Sequence, residues 1–309
     1  MKVLATLVGL LVFVPMVLSS QTNPLWSQQK IENYLPHMTR PEVESLLTRT
    51  DMVIIPVASL EQHGLHLPIG TDYLSGVERA KLIAEQTDVL VAPILWPGQS
   101  PYHMGFAGTI TLSSETIQAV YVEAVQSLIH HGFKRFLILN AHGGNRAITT
   151  FIVDRINQET PGIAVDLGAA AAPFTAPSTT PPSRVFDRHG GVDETSRLMY
   201  LAPDLVDLSV AETATLTMPA HLESLVPDVV AGDPTVTLLF LAEGLKAEET
   251  GKGTSAREIS STGVWGVGDL QQSSVARGRD GSLRFVDAAV QFIERWKQLR
   301  PMSAPVPRR

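Results

Sequence analysis

Short apolar runs and helically spaced apolar stripes alternate along most of this chain. Met52–Val57 is an apolar run of strand length, followed by a Gly-, Pro- and His-rich loop over 58–71. Thr71 or Asp72 is placed to cap a helix running to about Gln86, with Leu74, Val77, Ala80 and Ala84 on its apolar face. Val89–Pro93 forms a second run. Ser113 or Ser114 caps a long helix in which Ile117, Val120, Tyr121, Ala124 and Leu128 recur at helical spacing, and Gly132 stops it. A third strand over Arg135–Asn140, a helix over 146–158 and a fourth strand over Ile163–Leu167 continue the alternation.

Upstream, Thr39-Arg40-Pro41-Glu42 carries a capping box with proline in the first turn. Residues 21–38 have an irregular pattern, and 169–184, rich in Ala, Pro, Ser and Thr, suit a surface excursion or lid. A helix follows over Val192–Leu201. Ser282 is placed to cap a final amphipathic helix to about Leu299, and 301–309 form a loose tail. The stretch 203–270 shows no clear period, and there is no internal repeat.

Strand and helix in alternation predict an α/β fold with a mostly parallel sheet covered by helices. Ligands of such sheets sit beyond the carboxyl ends of the strands. The loop at 58–72 follows the first strand and Asn140–Asn145 follows the third, so both fall on one sheet edge.

Composition narrows the function. With 309 residues, 44% of them hydrophobic and 18% charged, the chain has enough apolar material for a sizeable core. A formal net charge of -7 and the lack of a basic stripe argue against non-specific nucleic-acid binding. There is no cysteine, which excludes disulfides, thiolate metal sites and a cysteine nucleophile. Lys2, an apolar run over Val3–Leu18 and then Ser19-Ser20-Gln21 have the form of a signal peptide over 1–20, so an exported protein, periplasmic or secreted, is expected. The alternative is a membrane anchor; Pro15 and the short run favour cleavage.

Candidate chemistry lies in the two loops. Glu61, His63 and Asp72 stand in the first, and His142 stands in the second beside Gly143 and Gly144. Carboxylates and imidazoles together suit Zn, Mn, Fe or a similar divalent ion. A spacing of two puts Glu61 and His63 on one side of extended backbone, and a carboxylate such as Asp72 can bridge two metals. The two glycines would let backbone approach a ligand closely. Taken singly, a histidine after a strand is more often structural, and Glu and His in a loop are more often solvated. Their convergence at two strand ends of one sheet favours a metal site.

Longer strings sharpen this. Pro56–Asp72 (PVASLEQHGLHLPIGTD), Asn140–Asn145 (NAHGGN) and His189–Ser196 (HGGVDETS) resemble the signatures of the creatininase (creatinine amidohydrolase) family, in order and in spacing. Met104–Thr109 and Ser261–Gly266 agree more weakly, and the resemblance spans roughly 40–297 within a catalytic domain over 39–300. It implies a three-layer α/β/α fold, two divalent metal ions and a homo-oligomer, hexameric in many members. By position it implies Glu61, Asp72 and His142 on one metal and His63 and Asp72 on the other, with Asp72 bridging. His189 matches the family's catalytic histidine, while His103 and His66 fall to substrate or supporting contacts; His130, His131 and His221 are surface or structural.

Two departures mark this chain. Creatininase proper has a glutamate two residues after the loop histidine, where Gly144 stands; Glu194 is the nearest replacement ligand, or else a helix-N-terminal carboxylate. Creatininase also has a tryptophan where Val185 stands. The Gly-Gly loop occurs in relatives acting on other amides, formamides and peptides. The expectation is therefore an amidohydrolase in which a metal-bridged hydroxide attacks a small non-peptide or cyclic amide, with Gly143, Gly144 and His103 contacting substrate. A peptidase-like or deformylase-like relative, or a non-catalytic exported binding protein, are the alternatives.

Overall fold

Six consecutive buried residues, Met52–Val57, form strand β1 at the centre of the molecule. In this computed structural model the described residues are 30–178, 186–212, 216, 220–243 and 256–302. The expected signal peptide, most of the final tail, residues 179–184 of the expected excursion and Val185 lie outside them.

Helix α1 (Arg40–Leu46) precedes β1, and the Glu42 carboxylate accepts from the Thr39 N–H at 2.7 Å, as the capping box requires. Helix α2 (Thr71–Thr87) leads to β2 (Leu90–Val91), and α3 (Ser114–His131) to β3 (Arg135–Asn140). Ser113 caps α3 by accepting from Thr116 N–H at 3.2 Å. Then come α4 (Arg146–Glu159), β4 (Ile163–Asp166) and α5 (Leu167–Ala171). The four strands form one parallel sheet in the order β2-β1-β3-β4. A small antiparallel pair, β5 (Asp187–His189) with β6 (Trp265–Gly266), stands apart. Between them lie α6 (Val192–Leu201), the short α7 (Val226–Val230), α8 (Pro234–Glu243) and α9 (Ala256–Ile259); α10 (Val275–Leu299) closes the fold.

The alternation of β1 explains the layering. Met52 and Ile54 pack into a core with α2, α5, α6 and α10, while Val53, Ile55 and Val57 pack into a second core with α1, α3 and α4. Helices thus cover both faces, the three-layer arrangement expected. The chain leaves β1 for β2 on one side and returns to β3 on the other. The order therefore reverses between β1 and β3, where a crevice opens beyond their carboxyl ends.

Several boundaries differ from the sequence expectation. Helix α2 has Gly70 at its N-cap, because the Asp72 carboxylate faces imidazoles instead of backbone. Strand β2 is two residues long, and Leu167 begins α5. Ser282 does not cap the last helix; it is buried inside α10, which starts at Val275 with the Ser274 hydroxyl accepting from Arg277 N–H at 3.2 Å. Gly278 and Gly281 lower helix propensity there. Gly278 is tolerated because α10 crosses α6 so closely that a Cβ would lie 1.8 Å from Ser196 O. The irregular 21–38 segment is tied down where it is described: Tyr34 is buried and pairs with Val91. Among the described residues no helix is long and apolar enough to cross a membrane.

Candidate metal centre

The crevice between β1 and β3 collects polar groups that a hydrophobic core would reject. Glu61 and His63 come from the loop after β1, Asp72 from the first turn of α2, and His142 from the end of β3; all four are buried. His142 Nδ1 lies 2.9 Å from Asp72 Oδ2 and 3.3 Å from Glu61 Oε1. His63 Nε2 lies 3.5 Å from Asp72 Oδ1 and 3.6 Å from Glu194 Oε2. Asp72 thus offers one oxygen to each histidine.

Supporting bonds leave one bare atom on most of these side chains. His63 Nδ1 donates to Glu61 O at 2.9 Å, so Nε2 faces the crevice. Ser59 donates to Glu61 Oε2 at 2.8 Å, leaving Oε1 inward. His142 Nε2 lies 3.2 Å from Gln99 O, which turns Nδ1 inward. Glu61 Oε1, His63 Nε2 and Asp72 Oδ2 are buried and make no well-directed hydrogen bond; His142 Nδ1 meets Asp72 Oδ2 at 2.9 Å but out of line. Such orphaned atoms are costly unless something completes them. Glu61, His63 and Asp72 place ligand atoms within 4.8 Å of one another, and so do His63, His189 and Glu194. This donor set fits divalent cations.

Charge in the metal-free site follows from the same geometry. Burial alone would pull the His63 imidazole down, but Asp72, with Glu194 and Glu61, holds it up at about 10. Burial also opposes His142, yet Glu61 and Asp72 lift it to about 9. Burial would raise Asp72, but the two imidazoliums hold it well below the usual carboxylate range. Glu61 is pushed up, chiefly by burial. His189 and His103 are pushed well down, by burial and by neighbouring imidazoles.

His189 reaches the crevice at the end of β5. Gly190, at φ +62°, makes the turn, and a Cβ there would lie 3.0 Å from His63 O. His189 Nε2 donates to Gln62 O at 2.6 Å, leaving Nδ1 3.5 Å from Glu61 Oε1. Gln62 Nε2 donates to Gly263 O at 3.0 Å and to His103 Nδ1 at 2.8 Å. His103 therefore carries its proton on Nε2, 3.3 Å from Glu61 Oε1. Glu194 sits in the first turn of α6 and accepts from Gly190 N–H at 2.8 Å through Oε2.

The sequence does not single out Gln62, Ser59, Trp265 or Ser100, whose hydroxyl lies 2.7 Å from Ser59 Oγ and 3.2 Å from His142 Nε2. Gln62 lies inside the Glu61–His63 string, and an amide between two ligand-type residues carries no signal of its own. Trp265 stacks on His103 at 4.7 Å, and no spacing rule links the two. His66 does not line the cavity: its Nε2 bonds Thr195 Oγ1 at 2.8 Å, behind the centre. His130 and His131 are exposed at the end of α3. Val185 lies outside the described residues.

A cavity of about 400 Å³ opens over the centre, walled by Tyr102, Leu241 and Trp265, with Arg146 and Arg188 on its lining. The two loop glycines differ. A Cβ at Gly143, on the cavity lining, would meet no protein atom within 4 Å. A Cβ at Gly144 would stand 2.4 Å from both His142 Nε2 and Tyr102 Oη and 2.5 Å from Gln99 O. Gly144→Ala is expected to destabilise the fold by about 1–3 kcal/mol through overpacking. Displacing His142 should also weaken metal binding by roughly 10–100-fold. Thermal melts and metal titration check this, and unchanged values in both would refute the tight contact.

The chain matches the family model "Creatininase: Creatinine amidohydrolase" over residues 36–293. It is 32% identical over 212 residues to the mycofactocin precursor peptide peptidase of Mycolicibacterium smegmatis, covering 64% of this chain and 80% of that one. It is 30% identical over 225 residues to the creatinine amidohydrolase of Pseudomonas putida, covering 66% and 83%. A solved creatininase superposes with a TM-score of 0.61 at 21% identity, covering 90% of this chain and all of that one. Creatininases of this fold have been solved in a zinc–zinc form and with manganese. With a buried carboxylate–imidazole centre at the sheet's switch point and a family match over most of its length, the chain belongs to the creatininase family of hydrolases.

Proposed function

We propose that this protein hydrolyses the C–N bond of a small non-peptide or cyclic amide at a two-cation centre. The observation that carries the reading is the set of orphaned inward atoms on Glu61, His63 and Asp72. Glu61, Asp72 and His142 would hold one cation, and His63, Asp72 and Glu194 the other. Bound there, divalent ions polarise a carbonyl and bring the pKa of water toward neutrality.

The remaining chemistry belongs to the side chains. His189 is neutral, with Nδ1 bare and facing the centre, so it can take a proton from water and return it to the leaving nitrogen. His103 Nε2–H is positioned to donate to a developing negative oxygen. Trp265 and Tyr102 wall the cavity and restrict water.

His189→Gln is expected to lower kcat by about 10²–10⁴-fold while both cations remain bound. His189 also lies within ligand distance of His63 and Glu194. A variant that loses one cation would make His189 a ligand instead of a proton carrier.

A second reading, cleavage of a short peptide, is favoured by the peptidase relative and by the cavity's size, about 400 Å³. A panel of cyclic amides, formamides and short peptides offered to the metal-loaded protein separates the two. Turnover of peptides alone would overturn the non-peptide assignment, and no turnover across the panel would count against hydrolysis of these classes altogether.

A further inference from the structure

A second cavity, of about 340 Å³, lies where α2, α6 and α10 meet, and four arginines line it. Its charges do not balance. Arg277 Nε donates to Asp193 Oδ1 at 2.6 Å, and Arg284 Nε to Asp280 Oδ2 at 3.1 Å. These two pairs account for both acidic residues of the lining. Arg79 and Arg197 are left over.

Arg79 has no carboxylate within 4.0 Å among the described residues. Its Nε donates to Ser75 O at 2.9 Å and its guanidinium lies 5.0 Å above the Phe285 ring, which fixes its plane and leaves the outer N–H groups for a ligand. Burial, with the like charge of Arg197, pulls its pKa down to about 9. The nearest acid to Arg197 is Glu194, whose Oε1 is 3.8 Å away, too far for a hydrogen bond. In the proposed centre Glu194 shares its charge with a cation, which loosens this contact further. Two like-charged forks beside one cavity are unfavourable together unless an anion joins them.

The cavity is a product of the fold. Gly278 lets α10 cross close to α6, which brings Arg277 and Asp193 to one rim. At Gly281 a Cβ would meet open space, so the wall there stays recessed.

We propose that this cavity is an anion site, in which Arg79 and Arg197 clasp a small dianionic group, a phosphate or a dicarboxylate. It is separate from the hydrolytic cavity: Glu194 lines one and Arg197, one turn along α6, lines the other. Guanidinium forks match such oxyanions in bidentate geometry.

The test titrates metal-free, full-length protein with inorganic phosphate and with malonate at constant ionic strength, followed by calorimetry. Stripping the metal removes the competing way an oxyanion could bind. Saturable binding of one equivalent is expected, weakened about tenfold or more in Arg79→Gln and in Arg197→Gln. Arg40→Gln, at an exposed arginine paired with Glu44, should bind as the parent does. Arg79→Lys keeps the charge but loses the fork, so it should also bind more weakly while melting normally without ligand. Binding of phosphate alone assigns a phosphate ligand, and binding of malonate alone a dicarboxylate. No saturable binding of either, or binding indifferent to both Arg79 and Arg197, overturns the site.

Discussion

Asp72→Ala is expected to reduce amide hydrolysis to background. Asp72 is the side chain that offers an oxygen to each histidine, 3.5 Å from His63 Nε2 and 2.9 Å from His142 Nδ1. In the proposed centre its removal would take a ligand from both cations at once, and it leaves two imidazoles without their charge partner. A loss of about a thousandfold or more in kcat/KM, about 4 kcal/mol of transition-state stabilisation, follows if the cations carry the reaction. Metal content and turnover are measured on the same preparation. Folded Asp72→Ala protein that still turns substrate over at the parent rate would contradict a bridged centre.

The second large effect is on stability. Removing metal from the loaded protein is expected to lower Tm by roughly 8–16 °C. An ion present at about a thousandfold over its Kd contributes about 4 kcal/mol, and each kcal/mol moves Tm by roughly 2–4 °C in a domain of this size. The metal-free fold is not simply repulsive, because protonated His63 and His142 stand in for the missing cations. Their folded values of about 10 and 9 lie above that of an unfolded histidine. This contribution is fully present below about pH 6.5 and is lost as pH rises through 9 to 10. Asp72, depressed in the fold, contributes above about pH 4 and its share is lost as pH falls. Because both imidazoles must deprotonate to ligate, the stability gap between loaded and stripped protein should widen from pH 6 to pH 9. Melts across that range check it, and a gap that narrows would contradict the charge assignment.

How much of this was legible in the sequence depends on the kind of signal. β1, β3 and α3 were readable because local pattern and tertiary role agree: apolar runs become buried strands, and Ser113 and Gly132 bracket α3. The last helix was truncated because Gly278 and Gly281 look like breakers until α6 is seen pressed against Gly278. The four principal ligand candidates were visible from residue type at two strand ends. Glu194 is a different case. Its approach to His63 depends on the turn at Gly190 bringing β5 and α6 back over the loop after β1, and no pattern within either segment encodes that distance. The roles of Gln62 and Trp265 are likewise properties of the assembled crevice.

The meaning of Gly144 changed most. From sequence it marked a missing ligand. In the structure it is also a packing requirement, since Tyr102 and His142 fill the space a side chain would need. A glutamate there would displace His142, and in the proposed centre the carboxylate comes from Glu194 on α6 instead.

The most direct test is a crystal structure of the zinc- or manganese-loaded protein with anomalous data collected at the metal edge. Two anomalous peaks are predicted, one against Glu61, Asp72 and His142 and one against His63, Asp72 and Glu194, with Asp72 between them. No peak in this crevice, or a single ion that Asp72 does not touch, would contradict the two-cation centre.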